Sequence, residues 1–70
     1  MKISARNCIE GTIKAIHEGP VSTEVTIEIA GGQLIVSSIT TASAKSLGLK
    51  VGEKAYAVVK ASSVMIGVDH

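Results

Sequence analysis

Tryptophan and phenylalanine are absent from this 70-residue chain, Tyr56 is its one aromatic residue and Cys8 its one cysteine. A lone thiol cannot close an intrachain disulfide, and it suits a reducing compartment. Ordering a chain costs on the order of 1.5 kcal/mol per residue. Without aromatic bulk or disulfide staples, a core of this size sits near the lower limit of independent stability. Association with further copies is therefore expected. The length allows one domain, residues 1–70, and no linker, low-complexity tract or internal repeat divides it.

A dominant charge is also missing. Seven Lys and Arg against six Asp and Glu give a formal charge of +1, far from the basic excess that drives binding to nucleic acid, and the base-stacking aromatics are reduced to Tyr56. No nucleic-acid partner is expected. No apolar run approaches the roughly 20 residues that cross a bilayer, and Met1-Lys2-Ile3-Ser4 lacks the apolar stretch of a secretory signal. No membrane partner and a cytoplasmic location follow as expectations. Cys8, His17 and His70 form no cluster with metal-ligand spacing, and no nucleophile is paired with a base. The chain is therefore read as a binding protein and not an enzyme. His17 reads as a turn residue, Cys8 as a buried hydrophobe beside an apolar strand, and Glu24 with Glu28 as a solvated polar face.

What the chain has in quantity is β-branched side chains, nine Ile, eight Val and five Thr, which suit a pleated, half-buried surface. Along residues 21–29 the odd positions read Val, Thr, Val, Ile, Ile and the even ones Ser, Glu, Thr, Glu. That period of two predicts a strand with one dry face. A weaker alternation over residues 9–16 stops at Glu18-Gly19-Pro20, which predicts a hairpin between the two strands. Gly31-Gly32 ends the second strand, and residues 34–39 supply a third. Thr40 or Thr41 then caps a helix of about two turns that Gly48 terminates. Residues 55–61 and 64–68 predict two further strands, separated by Ser62-Ser63. The expected fold is all-β, a five-stranded OB-like Greek-key barrel with one short helix, although a small sandwich or SH3-like barrel gives a similar string.

Three short segments concentrate hydrogen-bond donors. Ser4-Ala5-Arg6-Asn7 offers a hydroxyl, backbone amides and a guanidinium with five donors. Lys60-Ala61-Ser62-Ser63 offers an ammonium, amides and hydroxyls with no carboxylate close by in sequence. Thr40-Thr41-Ala42-Ser43 opens the helix, where N–H groups and the dipole favour an anion. Singly, each also reads as ordinary structure: a solvated arm, a Ser-Ser turn, a helix cap. Together they supply donors almost without acceptors, the inventory that suits a tetrahedral dianion carrying no proton.

These three segments, with Leu47-Gly48-Leu49 after the helix, occur in an order that resembles the molbindins, the family of Mop domains, from Ile3 to Ile66. The resemblance implies an OB-like barrel, a homo-oligomer in the form of a hexamer built from dimers, and molybdate held at subunit interfaces, with tungstate as a competitor and no organic cofactor. It implies a role in intracellular molybdate storage and homeostasis. The alternatives are an oxyanion-sensing regulatory subunit acting on a partner protein and, further off, an OB-fold nucleic-acid binder. Matched position by position, Ser4, Ala5, Arg6, Lys60, Ala61 and Ser62 would come from one subunit and Thr40 and Ser43 from its neighbour. Cys8 and Ser22 depart from the residues usual in the family, and neither is an implied ligand.

Overall fold

The alternation along residues 21–29 becomes the middle of the sheet. In the computed structural model, which describes residues 3–69, the strand β2 (Ser22–Ile29) buries Thr23, Val25 and Ile27 and exposes Ser22 and Glu24. It pairs antiparallel with β1 (Asn7–Glu18) on one side and with β3 (Leu34–Thr40) on the other. The β1–β2 connection is the expected turn. The Gly19 amide donates to the Ser22 carbonyl at 3.0 Å, and a Cβ at Gly19 would stand 2.7 Å from that same oxygen, so only glycine closes it without a shift. Gly31 and Gly32, at φ 89° and 84°, make the β2–β3 turn in a region that L side chains avoid.

The helix α1 (Thr41–Leu47) follows, capped by Thr40 and ended by a left-handed Gly48. The chain then returns to lay β4 (Lys54–Val59) antiparallel against the first half of β1. The spatial order is β3-β2-β1-β4, three hairpin-connected strands with a fourth beside the first, which is a Greek key. β1 pairs with β4 over Asn7–Thr12 and with β2 over Gly11–Glu18, and the β1–β2 ladder carries a bulge between Ile13 and Ala15. Ile13 and Ile16, three residues apart, both reach the core, which a strict period of two forbids and one extra residue permits. The turn after the helix continues the pairing at that point, with Gly52 donating to Ile13 at 2.8 Å and Ile13 to Glu53 at 2.9 Å.

The core is small. Ile13, Val25, Ile27 and Ala57 form its buried centre, ringed by half-buried Ile16, Ile29, Ile35, Ile39 and Leu49.

Several expectations need correction. The described residues hold four strands, not five, in a curled half-barrel that a single chain does not close. β4 stops at Val59 instead of running to Ala61, because Ala61–Ser63 winds into a 3-10 turn in which the Ser63 amide donates to the Lys60 carbonyl at 2.9 Å. Beyond that turn residues 64–68 pair with no strand edge of their own chain, so the apolar run alone does not make a strand. His17 lies within β1 opposite Glu24, since β1 continues past the weak point in its alternation as far as Glu18. Cys8 is exposed, on the outer side of β1 opposite Val58. His70 lies outside the described residues, as do Met1 and Lys2.

Candidate functional site

The donor segments Ser4–Asn7 and Lys60–Ser63 are brought to the same end of the sheet by strand pairing. Asn7 stands opposite Val59 at the end of the β1–β4 ladder, and its side-chain amide donates to the Val59 carbonyl at 3.3 Å across a sequence separation of 52 residues. Arg6 and Lys60 are the residues that follow this last pair at the same end of the ladder, and one further step of that antiparallel register would set them opposite each other. Ser4-Ala5-Arg6 and Lys60-Ala61-Ser62 therefore share one end of one strand pair. Ser4, Arg6, Lys60, Ala61 and Ser62 are exposed and Ala5 is half-buried.

The chemistry at this end is one-sided. The surface ion pairs are Lys14–Glu28 at 4.0 Å and Lys54–Glu10 at 3.7 Å. Among the described residues neither Arg6 nor Lys60 takes part in one. In the 3-10 turn the amides of Ser63 and Val64 bond back to Lys60 and Ala61. Those of Ala61 and Ser62 have no acceptor among the described residues. Two cations, two amides and the hydroxyls of Ser4 and Ser62 thus lie on segments that flank the same end of the β1–β4 ladder.

Thr40 and Ser43 lie elsewhere. Thr40 pairs with Ser22, and Thr23 with Glu18, so both stand at the far end of β1 from Arg6. β1 has 12 residues, a contour of roughly 35 Å at about 3.3 Å per residue. One chain cannot close all its donors around one small anion. The Thr40 hydroxyl accepts from the Ser43 amide at 3.0 Å and donates to the Ser43 hydroxyl oxygen at 2.7 Å. That leaves the Ser43 hydroxyl proton without an acceptor among the described residues, and the first turn of the helix holds no acidic residue. The helix is seven residues long and its Thr41 amide is taken by the Val21 carbonyl at 2.9 Å, so the hydroxyls, more than the dipole, are what this end offers.

Thr41 has a different task. It is buried, donates its hydroxyl to the Gly19 carbonyl at 2.6 Å and meets the Thr23 hydroxyl at 2.8 Å. This clasp ties the helix start to the β1–β2 turn, and sequence reasoning missed it. The signal was present, since Thr23 is the one polar residue on the apolar side of the 21–29 alternation. Lys54 is a second unforeseen feature, its ammonium held above the ordinary lysine value by a hydrogen bond to Tyr56 and then by the Glu10 carboxylate. Among the described residues no group of His, Cys, Asp and Glu could hold a metal ion, and no helix is long and apolar enough to cross a membrane.

The TOBE domain family profile matches residues 3–66. The chain belongs to that family, in its molbindin, or Mop, branch. It is 48% identical over 69 residues to the probable molybdenum-pterin-binding protein of Haemophilus influenzae, covering 99% of this chain and 100% of that one. MopII from Clostridium pasteurianum superposes with a TM-score of 0.91 at 45% identity, over 96% of this chain and all of MopII. The cytoplasmic molybdate-binding protein ModG, solved with molybdate bound, superposes with a TM-score of 0.81 at 49% identity, over 87% of this chain and 43% of ModG. The Mop likeness identifies the half-barrel as OB-like, and the relatives are binding proteins by name.

Proposed function

We propose that the chain is a cytoplasmic, non-enzymatic molybdate-binding protein that stores and buffers the oxyanion at interfaces between copies of itself. What supports this reading is the Asn7–Val59 pair, after which Arg6 and Lys60 follow at the same end of the β1–β4 ladder, neither of them in an ion pair among the described residues. Their charge meets the dianion without a metal, through charge-assisted hydrogen bonds. Ser4, Ala5, Ala61 and Ser62 give the contacts direction. Thr40 and Ser43 reach the same anion from a neighbouring copy, because their distance along β1 prevents them from doing so within one chain. Storage agrees with a chain whose site is complete only in an assembly, and the molybdate bound in ModG supports the ligand class.

A shell of donors discriminates by protonation. A phosphate proton would point at another donor and leave buried groups unpaired. Sulfate carries no proton at neutral pH, so its rejection falls to the size of the pocket. Tungstate matches molybdate in size and charge and competes with it.

Calorimetry with molybdate tests the proposal. Arg6→Ala and Lys60→Ala each weaken binding by about 1.5–3 kcal/mol, or roughly 10- to 150-fold. Unaltered affinity in both variants removes the site, and tight binding by a single-chain species removes its placement between copies.

A further inference from the structure

Two buried threonines are more polar than packing requires. Thr23 is 1% exposed and Thr41 7%, and at either position an aliphatic side chain of the same shape would fill the space. Each carries a hydroxyl instead, and no buried side-chain polar atom among the described residues is left unpaired. A hydroxyl has one proton to give. Thr41 gives its proton to the Gly19 carbonyl at 2.6 Å, so the 2.8 Å contact with Thr23 is a bond that Thr23 donates. Donation runs one way, from Thr23 through Thr41 to the β1–β2 turn. A fully satisfied buried network of this kind fixes direction as well as distance.

What the network grips is the start of a helix with few other anchors. α1 has seven residues, of which Thr41 and Ala44 are buried, and Leu47 at its far end is 68% exposed. A helix this short does not persist on its own propensity. Its placement comes from its first residue, whose amide donates to the Val21 carbonyl at 2.9 Å while its hydroxyl reaches Gly19. The acceptor is itself held, because the Gly19 amide closes the turn on the Ser22 carbonyl at 3.0 Å.

Ser43 stands two residues beyond Thr41 in the same turn of helix. Of the two ligands proposed at this end, Thr40 has its proton committed to the Ser43 oxygen at 2.7 Å. The Ser43 proton has no acceptor among the described residues, and a hydroxyl that already accepts a bond donates more strongly. Where that proton points depends on the direction of the first turn, which the buried hydroxyls set.

We infer that Thr23 and Thr41 are positioning residues for the anion site. Neither touches the anion. Their hydroxyl chain holds the first turn of α1 to the β1–β2 turn, so that the Ser43 proton is already aimed when a neighbouring copy presents the oxyanion. The turn is ordered by folding and not by binding, which leaves more of the contact free energy to appear as affinity. This inference rests on the interfacial reading above and adds to it two residues buried out of the ligand's reach.

Calorimetry with molybdate, under conditions in which circular dichroism shows each variant folded, tests it. Thr41→Val keeps the shape and removes the donor, and is expected to weaken binding about fivefold. Thr23→Val leaves the bond to Gly19 in place and is expected to weaken binding about twofold. Thr41→Ser keeps the hydroxyl and is expected to bind as the wild type does. In a Ser43→Ala background Thr41→Val is expected to make no further difference, because the group it positions is gone, whereas a general loosening of the fold would weaken binding there as well. Wild-type affinity in Thr41→Val, a Thr41→Ser variant as weak as Thr41→Val, or a loss that persists without the Ser43 hydroxyl each overturn the positioning role. Arg6→Ala, measured alongside, separates the two readings. Binding weakened in Arg6→Ala but unaltered in Thr41→Val sinks the positioning role alone, and wild-type affinity in Arg6→Ala removes the site and this inference with it.

Discussion

The two ends of β1 are built to different standards. At the Glu18 end a buried chain of hydroxyls, Thr23 to Thr41 to the Gly19 carbonyl, locks turn, strand and helix together at 2.8 and 2.6 Å. At the Asn7 end a single side-chain amide at 3.3 Å marks the last strand contact, and beyond it Arg6 and Lys60 stand in solvent. Satisfied polar groups hold the fold at one end, and unsatisfied donors wait for an acceptor at the other. Stability and binding are thus separated along one strand, and substitutions should separate in the same way.

The centre between the two ends sets the scale. Ile13 is 1% exposed beside the bulge, and Ile13→Ala leaves a cavity worth about 3 kcal/mol, read as a lowered urea midpoint at unchanged slope. At the locked end, Thr41→Val strands the Gly19 carbonyl and deprives Thr23 of a partner, a loss of about 2 kcal/mol in the same experiment. Thr40→Ala removes only the helix cap, for about 1 kcal/mol, and also removes a proposed ligand, so it should weaken binding as well as stability. At the open end, Arg6→Ala should leave stability within about 0.5 kcal/mol while binding collapses. A large stability loss there would erase the contrast between the ends.

The smallest effect concerns pH. Lys54 titrates above its ordinary value of 10.5 because Tyr56 and Glu10 favour its charged form. A raised lysine contributes stability that is fully present below its unfolded value and is lost as pH rises through the folded one. The alkaline limb of the stability curve should therefore be slightly steeper in the wild type than in Lys54→Met, with the difference confined to the region above 10.5. A difference that grows towards acid pH would contradict this.

Much of this was legible in the residues. The period of two in residues 21–29, the Gly31-Gly32 turn, the Thr40 cap and the Gly48 terminator all express local chemistry, and local chemistry is what a sequence displays. Residues 64–68 read as a fifth strand because an apolar run states that a segment favours a neighbour, without showing that its own chain offers an edge, and the described residues hold four strands. Cys8 was read as buried because its neighbours are apolar, but its face of β1 looks outward. The donor segments were recognisable by composition. That Arg6 and Lys60 share one end of a strand pair was not, because it depends on the register of β1 against β4, which pairs Asn7 with Val59. The Thr23–Thr41 clasp was hidden for a similar reason, since only the fold shows that the helix start returns to the first turn.

The most direct test is a crystal grown with molybdate, with the metal located by its anomalous signal. The expected result is a peak between copies, within hydrogen-bonding reach of Arg6 and Lys60 of one copy and of Thr40 and Ser43 of another. A peak elsewhere, with both cationic side chains turned to solvent, would contradict the site.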